Sequence, residues 1–481
     1  MSRLTHRTWR ATMTATALGA SLAGCMVGPN YQRPDTPITP TFKEAAGWTP
    51  SHPVDALDKG AWWSMYNDPD LDRLEAQVAT ANQTVKQYEA VYREAHDIVA
   101  EARSTLFPTV TAVGHAERSK AGSTTSSSGV TTSSPPSNSF EAALEATWVP
   151  DLWGKVRRTI ESDKALAQAS AADLANAELA AQASLAEDYF QLRTLDEEKR
   201  LLTDTVDGYQ KLVKLTQDQV REGTQPQSAI LTAQTQLYGA QAQLIAVGVA
   251  RSQMEHAVAV LTGVSPAALT IAPKAYVRDV PTPPLTVPST LLERRPDIAA
   301  AERRMASGNA LIGVAVSAYY PDVTLSGDVG TSASSIGRLF SASSTLWSLG
   351  ADATETLLDF GQRQAQVRAS KAVYDEDVAV YRQTVLTAFQ GIEDQLAALR
   401  IYQQQEEVLL LTEQAAKQTV KIDLQEYREG TIDYTTVISA QATQLQASIN
   451  VLTVIQNRLN ASVLLVENLG GGWTAADLPK G

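Results

Sequence analysis

From Lys155 to Arg221 the chain runs for 67 residues without a proline and with a single glycine, Gly208. An unbroken helix of that length spans about 100 Å, several times an ordinary domain helix. No single globular core can cover it, so it must be paired along its length with other helices. Within the run Leu185, Tyr189, Leu192, Leu195, Leu202, Val206, Tyr209, Val213 and Val220 recur at three- and four-residue steps, passing over Lys199 and Thr216. That stripe is a coiled-coil seam.

The run occurs twice. Arg221-Glu222-Gly223-Thr224 returns as Arg428-Glu429-Gly430-Thr431, 207 residues further on, and the two copies align without a gap from Gly154 and Gly361 to Gly263 and Gly470. The second stripe is Ile392, Leu396, Leu399, Tyr402, Leu409, Ala416, Val420 and Tyr427, with Glu413 as its exception. Upstream, Phe107-Pro108-Thr109-Val110-Thr111 matches Tyr320-Pro321-Asp322-Val323-Thr324 at an offset of 213. The first half therefore carries six extra residues, assigned to the Ser/Thr/Gly/Pro-rich stretch 119–139. A period near 210 residues is too long for a solenoid unit and marks a duplicated half. The expected division is a first repeat at 61–272, a Pro-rich linker at 273–288, a second repeat at 289–472 and a tail at 473–481.

Each half reads as helix, strand, loop, strand, very long helix, turn, long helix, so the fold class is mainly α with a small β part. A helix ending in Gly and followed by Thr predicts a left-handed stop and then a cap for the next helix. Gly223, Thr224, Gly430 and Thr431 thus mark two hairpin tips at the same end of two coiled coils, an end surface suited to docking. Arg221 and Arg428 complement the helix C-termini.

Between the helices, segments 109–118, 140–149, 323–330 and 347–356 alternate with period two, at a length suited to a tilted strand crossing a bilayer. In the second, Phe140, Ala142, Leu144, Ala146 and Trp148 share one face, with Glu141 and Glu145 on the other. Val323, Leu325 and Val329 oppose Asp328, and Trp347, Leu349, Ala351 and Ala353 oppose Asp352. Apolar on one side and acidic on the other is the pattern of a wall between lipid and water, with Trp148 and Trp347 near strand ends. Four strands cannot close a barrel, and an open edge in lipid leaves backbone groups unsatisfied. Three copies would supply twelve strands, so membrane-spanning strands imply a homotrimer.

The N-terminus carries Arg3, Arg7 and Arg10, then an apolar run from Ala11 to Ala23 that ends in Leu22-Ala23-Gly24-Cys25. This predicts a secretory signal at 1–24 and a lipidated Cys25, palmitate included, followed by a linker to residue 60. Cys25 is the only cysteine, so no disulfide framework exists. Removing 1–24 leaves 37 bases against 53 acids, a net −16, which argues against nucleic acid as a partner. No segment after the signal approaches ~20 uninterrupted apolar residues, so membrane crossing is assigned to strands. His52, His96, His115 and His256 show no metal-ligand spacing, and no phosphate loop, dinucleotide fingerprint or nucleophile elbow is present. Gly470-Gly471-Gly472 follows a helix and reads as its stop. The expectation is no enzyme, no cofactor and no metal.

Several motifs carry a resemblance. Trp62-Trp63-Ser64-Met65-Tyr66-Asn67-Asp68-Pro69-Asp70-Leu71, Trp148-Val149-Pro150-Asp151-Leu152-Trp153-Gly154 with Arg157-Arg158, Leu292-Glu293-Arg294-Arg295-Pro296-Asp297-Ile298, Ile312-Gly313-Val314-Ala315 with Tyr320-Pro321, and Leu358-Asp359-Phe360-Gly361 resemble those of the outer membrane factors, TolC-like ducts of tripartite efflux pumps, most closely the NodT-type lipoprotein branch. The resemblance implies a homotrimer with a twelve-stranded outer-membrane barrel, a periplasmic α-barrel of coiled coils, and an equatorial region built from the terminal segments and the linker. It also implies a periplasmic adaptor docked at Gly223, Thr224, Gly430 and Thr431, and an inner-membrane pump of the RND type. In relatives a tyrosine bonded to an acid and an arginine ties the gate. Tyr427 matches the tyrosine, whereas the acid and arginine positions hold Ala229 and Ile432, so those ties do not transfer. Asp433, in the first turn after the second tip, is the candidate constriction residue, or simply a partner of the helix dipole. Glu141, Glu145, Asp328 and Asp352 are the expected lumen acids. A duct for small molecules, a duct for type I protein secretion and a non-conducting coiled-coil lipoprotein are the competing functions, and single-channel conductance separates the last from the others.

Overall fold

A computed structural model of the chain describes residues 26–36, 41–44, 61–120, 122, 124–125, 131–132, 135–274, 279–281 and 294–479. Cys25 and the expected signal segment at 1–24 lie outside the described residues, as does most of the expected linker at 273–288. The described chain begins its regular structure with helices α1 (Pro69–Ala81) and α2 (Gln83–Ser104) and strands β1 (Thr109–Ser119) and β2 (Ser137–Trp148). The long hairpin α3 (Lys155–Arg221) and α4 (Gln227–Leu261) follows. The second half repeats this with α5 (Pro296–Ser317), β3 (Asp322–Ala333), β4 (Thr345–Thr354), α6 (Gln362–Arg428) and α7 (Tyr434–Asn468). The loop between β1 and β2 adds a two-residue ladder, Thr124–Thr125 with Thr131–Thr132.

The duplication holds to the residue. Helices α3 and α6 are each 67 residues long, α4 and α7 are each 35, and both pairs stand 207 residues apart. Each long helix starts after a glycine in the left-handed region, Gly154 at φ +82° and Gly361 at φ +92°. Helix α7 stops at three consecutive left-handed glycines, Gly470, Gly471 and Gly472. Helices α4 and α7 are long and apolar enough to cross a membrane by length and composition alone. Each is nevertheless the return arm of a hairpin, packed along α3 or α6, and not a free span.

The four strands form one antiparallel sheet in the order β1-β2-β3-β4, so the two hairpins meet at β2 and β3. The second and fourth strands begin and end slightly earlier than alternation suggests. Pro150 cannot donate to a ladder and closes β2 early, while Ser137 and Asn138 extend its start by pairing with Ser119 and Arg118.

The apolar stripes become the core. Trp62, Trp63, Tyr66, Leu71 and Leu74 from the segment around α1 pack against Tyr189, Phe190 and Leu192 of α3 and Val451, Ile455 and Leu459 of α7. Each fully buried leucine contributes about 1.5–3 kcal/mol. The polar exceptions in the stripes are explained by partners. Thr216 is fully buried, its hydroxyl donating to Leu212 O at 3.0 Å, and Glu413 accepts from Ser448 Oγ at 2.7 Å and pairs with Lys417. Lys199 stays exposed.

Residues 26–33 form a strap from the base of the sheet down the helices. Val27 N–H donates to Trp153 O, and the buried Arg158 guanidinium donates to Val27 O at 3.1 Å, Gly28 O at 3.3 Å and Asn30 Oδ1 at 2.9 Å. Further along, Arg33 donates to the Tyr381 hydroxyl at 2.9 Å. Gly28 has φ +94°, and a Cβ there would stand 2.4 Å from Gly313 Cα. Only glycine fits both the conformation and the space.

Candidate functional site

Both hairpin tips close in the same way. Gly223 N–H donates to Val220 O at 3.1 Å and Thr224 N–H to Gln219 O at 2.9 Å. Gly430 N–H donates to Tyr427 O at 3.1 Å and Thr431 N–H to Glu426 O at 3.0 Å. These crossed bonds are the Schellman closure, which needs a left-handed residue, here Gly223 at φ +77° and Gly430 at φ +76°. One expectation is corrected. The threonines do not cap the following helices; the hydroxyls of Thr224 and Thr431 bond back to Gln219 O and Glu426 O, both at 2.9 Å. As the second residue past the helix end, each is bound by the closure to the helix behind it.

The helix that follows is entered differently at the two tips. At the first, Pro226 occupies the cap position with no side-chain bond. At the second, Asp433 is the cap. Its Oδ1 accepts from Thr435 Oγ1 at 2.6 Å and from Thr436 N and Oγ1, both at 3.1 Å. The hydroxyl of Thr435 and both groups of Thr436 hold its carboxyl below the usual carboxylate range. Asp433 is therefore ionised and aimed at a helix N-terminus, which accounts for its position structurally.

Behind the tips the two hairpins are sewn together by an aromatic cluster. Tyr427 is buried, its ring centroid 5.9 Å from that of Tyr434, among Tyr209, Leu212, Val213 and Val437. Its hydroxyl donates to Gln219 Oε1 and lies 3.4 Å from Thr216 Oγ1, linking α6 to α3. The Tyr434 hydroxyl is buried without a hydrogen-bond partner among the described residues, and burial pushes its pKa up. Gln219 was missed by sequence reasoning, since a lone Gln on a polar-rich helix carries no periodic signal, and Thr216 was visible as a break in the stripe but not as a neighbour of Tyr427.

The sheet brings the four strand acids to one face. Glu145 stands directly opposite Asp328, Glu141 opposite His115, and Asp352 opposite Thr324. Ser348 lies across from Asp328 and donates to its carboxylate. The other face carries Val110, Leu144, Val329, Trp347 and Leu349, all exposed in the single chain. Trp148, at the base of β2, donates its indole N–H to Leu106 O at 3.0 Å. Among the described residues no group of His, Cys, Asp and Glu is arranged to hold a metal ion.

A sequence profile described as outer membrane efflux protein matches residues 74–264 and 287–471, one stretch in each half. The chain belongs to the outer membrane efflux protein family. Two Pseudomonas putida relatives match along nearly their whole length. The probable efflux pump outer membrane protein TtgC is 27% identical over 467 residues, 94% of this chain and 93% of its own. The pyoverdine export outer membrane protein OpmQ is 28% identical over 448 residues, 92% of this chain and 95% of its own. The solved outer-membrane channel OprN aligns at a TM-score of 0.85 and 28% identity, covering 93% of this chain and 100% of that one. The Campylobacter jejuni CmeC outer membrane channel shares the fold at a TM-score of 0.87 and 21% identity, covering 94% and 96%. In this outer membrane efflux protein, Ala229 lies in the first turn of α4, where its N–H donates to Pro226 O at 3.0 Å. Ile432 packs against the aromatic cluster. Apolar side chains thus stand where the resemblance put a charged tie, and the polar link across the helices is the neutral Tyr427–Gln219 pair.

Proposed function

We propose that this chain is the outer-membrane exit duct of a tripartite efflux system, conducting small molecules to the exterior without chemistry on its passenger. Three copies close a twelve-stranded barrel around the face bearing Glu141, Glu145, Asp328 and Asp352, and the helical hairpins continue that path into the periplasm. The tips at Gly223, Thr224, Gly430 and Thr431 meet a periplasmic adaptor, and an RND-type inner-membrane pump feeds the duct. Residues 61–272 and 289–472 serve as two repeats of one design, joined by the linker at 273–288. The observation that carries this reading is the sheet itself, with one apolar and one acidic face and two edges unpaired among the described residues, set on paired helices far too long for a closed domain. The likeness to TtgC, a probable efflux pump outer membrane protein, and to OpmQ, a pyoverdine export outer membrane protein, supports it.

Tyr427, tied to Gln219, and Asp433 are assigned to the narrow end. Rings of three carboxylates in a confined path concentrate cations. The purified protein in a planar bilayer should conduct and prefer cations, and Asp433→Asn should lower that preference, read as a change in reversal potential across a salt gradient. Gln219→Ala should raise conductance by freeing Tyr427. A protein that does not conduct would sink the duct reading. Anion preference would reject the acidic lining, and unchanged values in the two variants would remove those residues from the constriction.

Cys25 is proposed to carry the lipid anchor, with Met26 offering no acidic charge to retain it at the inner membrane. The strap supports this placement, because Val27 is held at the base of the sheet and an acyl chain two residues earlier would enter the adjoining leaflet. Mass spectrometry of the mature N-terminus should find a diacyl- or triacylated Cys25; an unmodified Cys25 or cleavage elsewhere would refute the anchor.

A further inference from the structure

The duplication makes one junction visible and leaves its twin open. Inside the chain, β1–β2 pairs Thr109 with Thr147, and β3–β4 pairs Asp322 with Thr354, so the hairpins superpose at the sequence offsets of 213 and 207. The halves meet at β2–β3, where Leu144 faces Val329 and Glu145 faces Asp328. Below the sheet the same junction stacks Trp153 on Tyr320, with ring centroids 5.0 Å apart, and Trp153 donates to Pro321 O at 2.8 Å. The other edge of each half, β1 on one side and β4 on the other, has no strand beside it among the described residues.

The residues that should fill the second junction are the ones left bare. Phe360, the equivalent of Trp153, is 93% exposed at φ +51°, and Phe107, the equivalent of Tyr320, is 69% exposed. A bulky side chain held in a left-handed conformation and given to solvent is disfavoured on its own, and Phe360 has no ring partner among the described residues. The helices repeat the asymmetry. Ile438 and Leu452 of α7 are 8% and 2% exposed, whereas Leu231 and Ile245 at the same positions of α4 are 61% and 74% exposed. Helix α7 packs along both α6 and α3, while α4 packs chiefly along α3 and meets the second half near the tips, where Ala233, Leu237 and Ala240 join the cluster around Tyr427.

We propose that the seam between neighbouring copies repeats the junction between halves residue for residue, pairing β4 with β1 of the next copy so that Asp352 faces His115, Ala351 faces Ala116 and Phe360 stacks on Phe107. This rests on the trimeric duct reading. Translating the Glu145–Asp328 and Leu144–Val329 pairs by the two offsets fixes the register. It keeps acidic-face residues opposite acidic-face residues, as the pleat requires. Charge favours the same alignment. A slip of two residues would set Asp352 against Glu117, a destabilising like-charge pair, or against Val113. The proposed register sets it against an imidazole. Leu231 and Ile245 then meet the α6 face of the adjoining copy, where Ile401, Val408, Leu411 and Ile422 are exposed.

Opposed residues in a ladder lie within disulfide reach, whereas diagonal ones do not. Cys25 is the only natural cysteine, so introduced pairs report the register directly. After mild oxidation in outer membranes, Ala116→Cys with Ala351→Cys should give reductant-sensitive dimers and trimers on denaturing gels. Gly114→Cys or Arg118→Cys combined with Ala351→Cys should cross-link at least roughly tenfold more slowly. Phe107→Cys with Phe360→Cys samples the seam outside the sheet, so a strand defect in the first pair does not silence it, and a short thiol-specific bifunctional linker should join the two positions across the seam. Preferential cross-linking at residue 114 or 118 would overturn the register while the trimer stood. Native mass spectrometry of protein without added cysteines tests the trimer separately; a monomer there would overturn both.

Discussion

A chain carrying both Gly223→Val and Gly430→Val should reach the outer membrane as a trimer, conduct normally when reconstituted, and fail to support export in cells. At either glycine an added Cβ meets no atom within 4 Å, so the substitution is not a clash. Its cost is conformational, because φ of +77° and +76° is left-handed and a β-branched residue resists it by about 1–2 kcal/mol per site. That sum is small beside the packing of four long helices. It is large enough to reopen the crossed bonds through Gly223 and Gly430 that shape the tips. Efflux in the double variant should fall to that of cells lacking the chain, with Gly430→Val alone already abolishing it. Full export by the double variant would exclude the tips from docking, and lost conductance would mean the change acted on the duct and not on the adaptor.

Glu75→Gln should stabilise the protein, increasingly so as pH rises. Glu75 is 0% exposed in α1, beside Leu71, Leu74 and Val78, and neither carboxyl oxygen has a hydrogen-bond partner among the described residues. Burial pushes its pKa from 4.5 up to about 9. Between those values the folded chain holds a proton that the unfolded chain has released, so the folded state loses about 1.4 kcal/mol per chain with each pH unit climbed. Above the folded value the loss levels off. Glutamine keeps the shape without the titration, and near neutral pH the gain is on the order of 3 kcal/mol per chain. Other carboxyls raised by burial, among them Glu178, Glu198 and Glu467, are common to both proteins and cancel in the comparison. Thermal midpoints at one scan rate, taken from about pH 5 to about pH 8, should fall more steeply for the wild type than for the variant. Parallel slopes would show that Glu75 is not the buried proton.

The parts of this fold that depend on local pattern were legible in the sequence. The bounds of α3 follow from the glycine before Lys155 and the glycine after Arg221, and the shared face of Glu141, Glu145, Asp328 and Asp352 follows from the pleat. What escaped depends on side chains meeting across long stretches of chain. Nothing near Gln219 announces Tyr427, which lies 208 residues away. Arg158 reads as one basic residue in a charged turn, yet it is the clamp on residues 27–30. Thr224 and Thr431 stand where a cap for the next helix is expected, and only the backbone geometry reveals that they belong to the helix behind. Glu75 departs from an otherwise apolar face, and its isolation is visible only once α1 is packed.

The equal lengths of α3 and α6, and of α4 and α7, make the chain a pair of matched rulers. Removing seven residues from one hairpin arm would draw that arm back by about 10 Å. The two tips would then sit at different heights and the bonded aromatic cluster behind them would come apart. Substitutions can enter either half independently, as Pro226 and Asp433 at corresponding positions attest, but a change in length must be made four times at once to preserve a level rim. Such a molecule can drift freely in composition while its reach stays fixed.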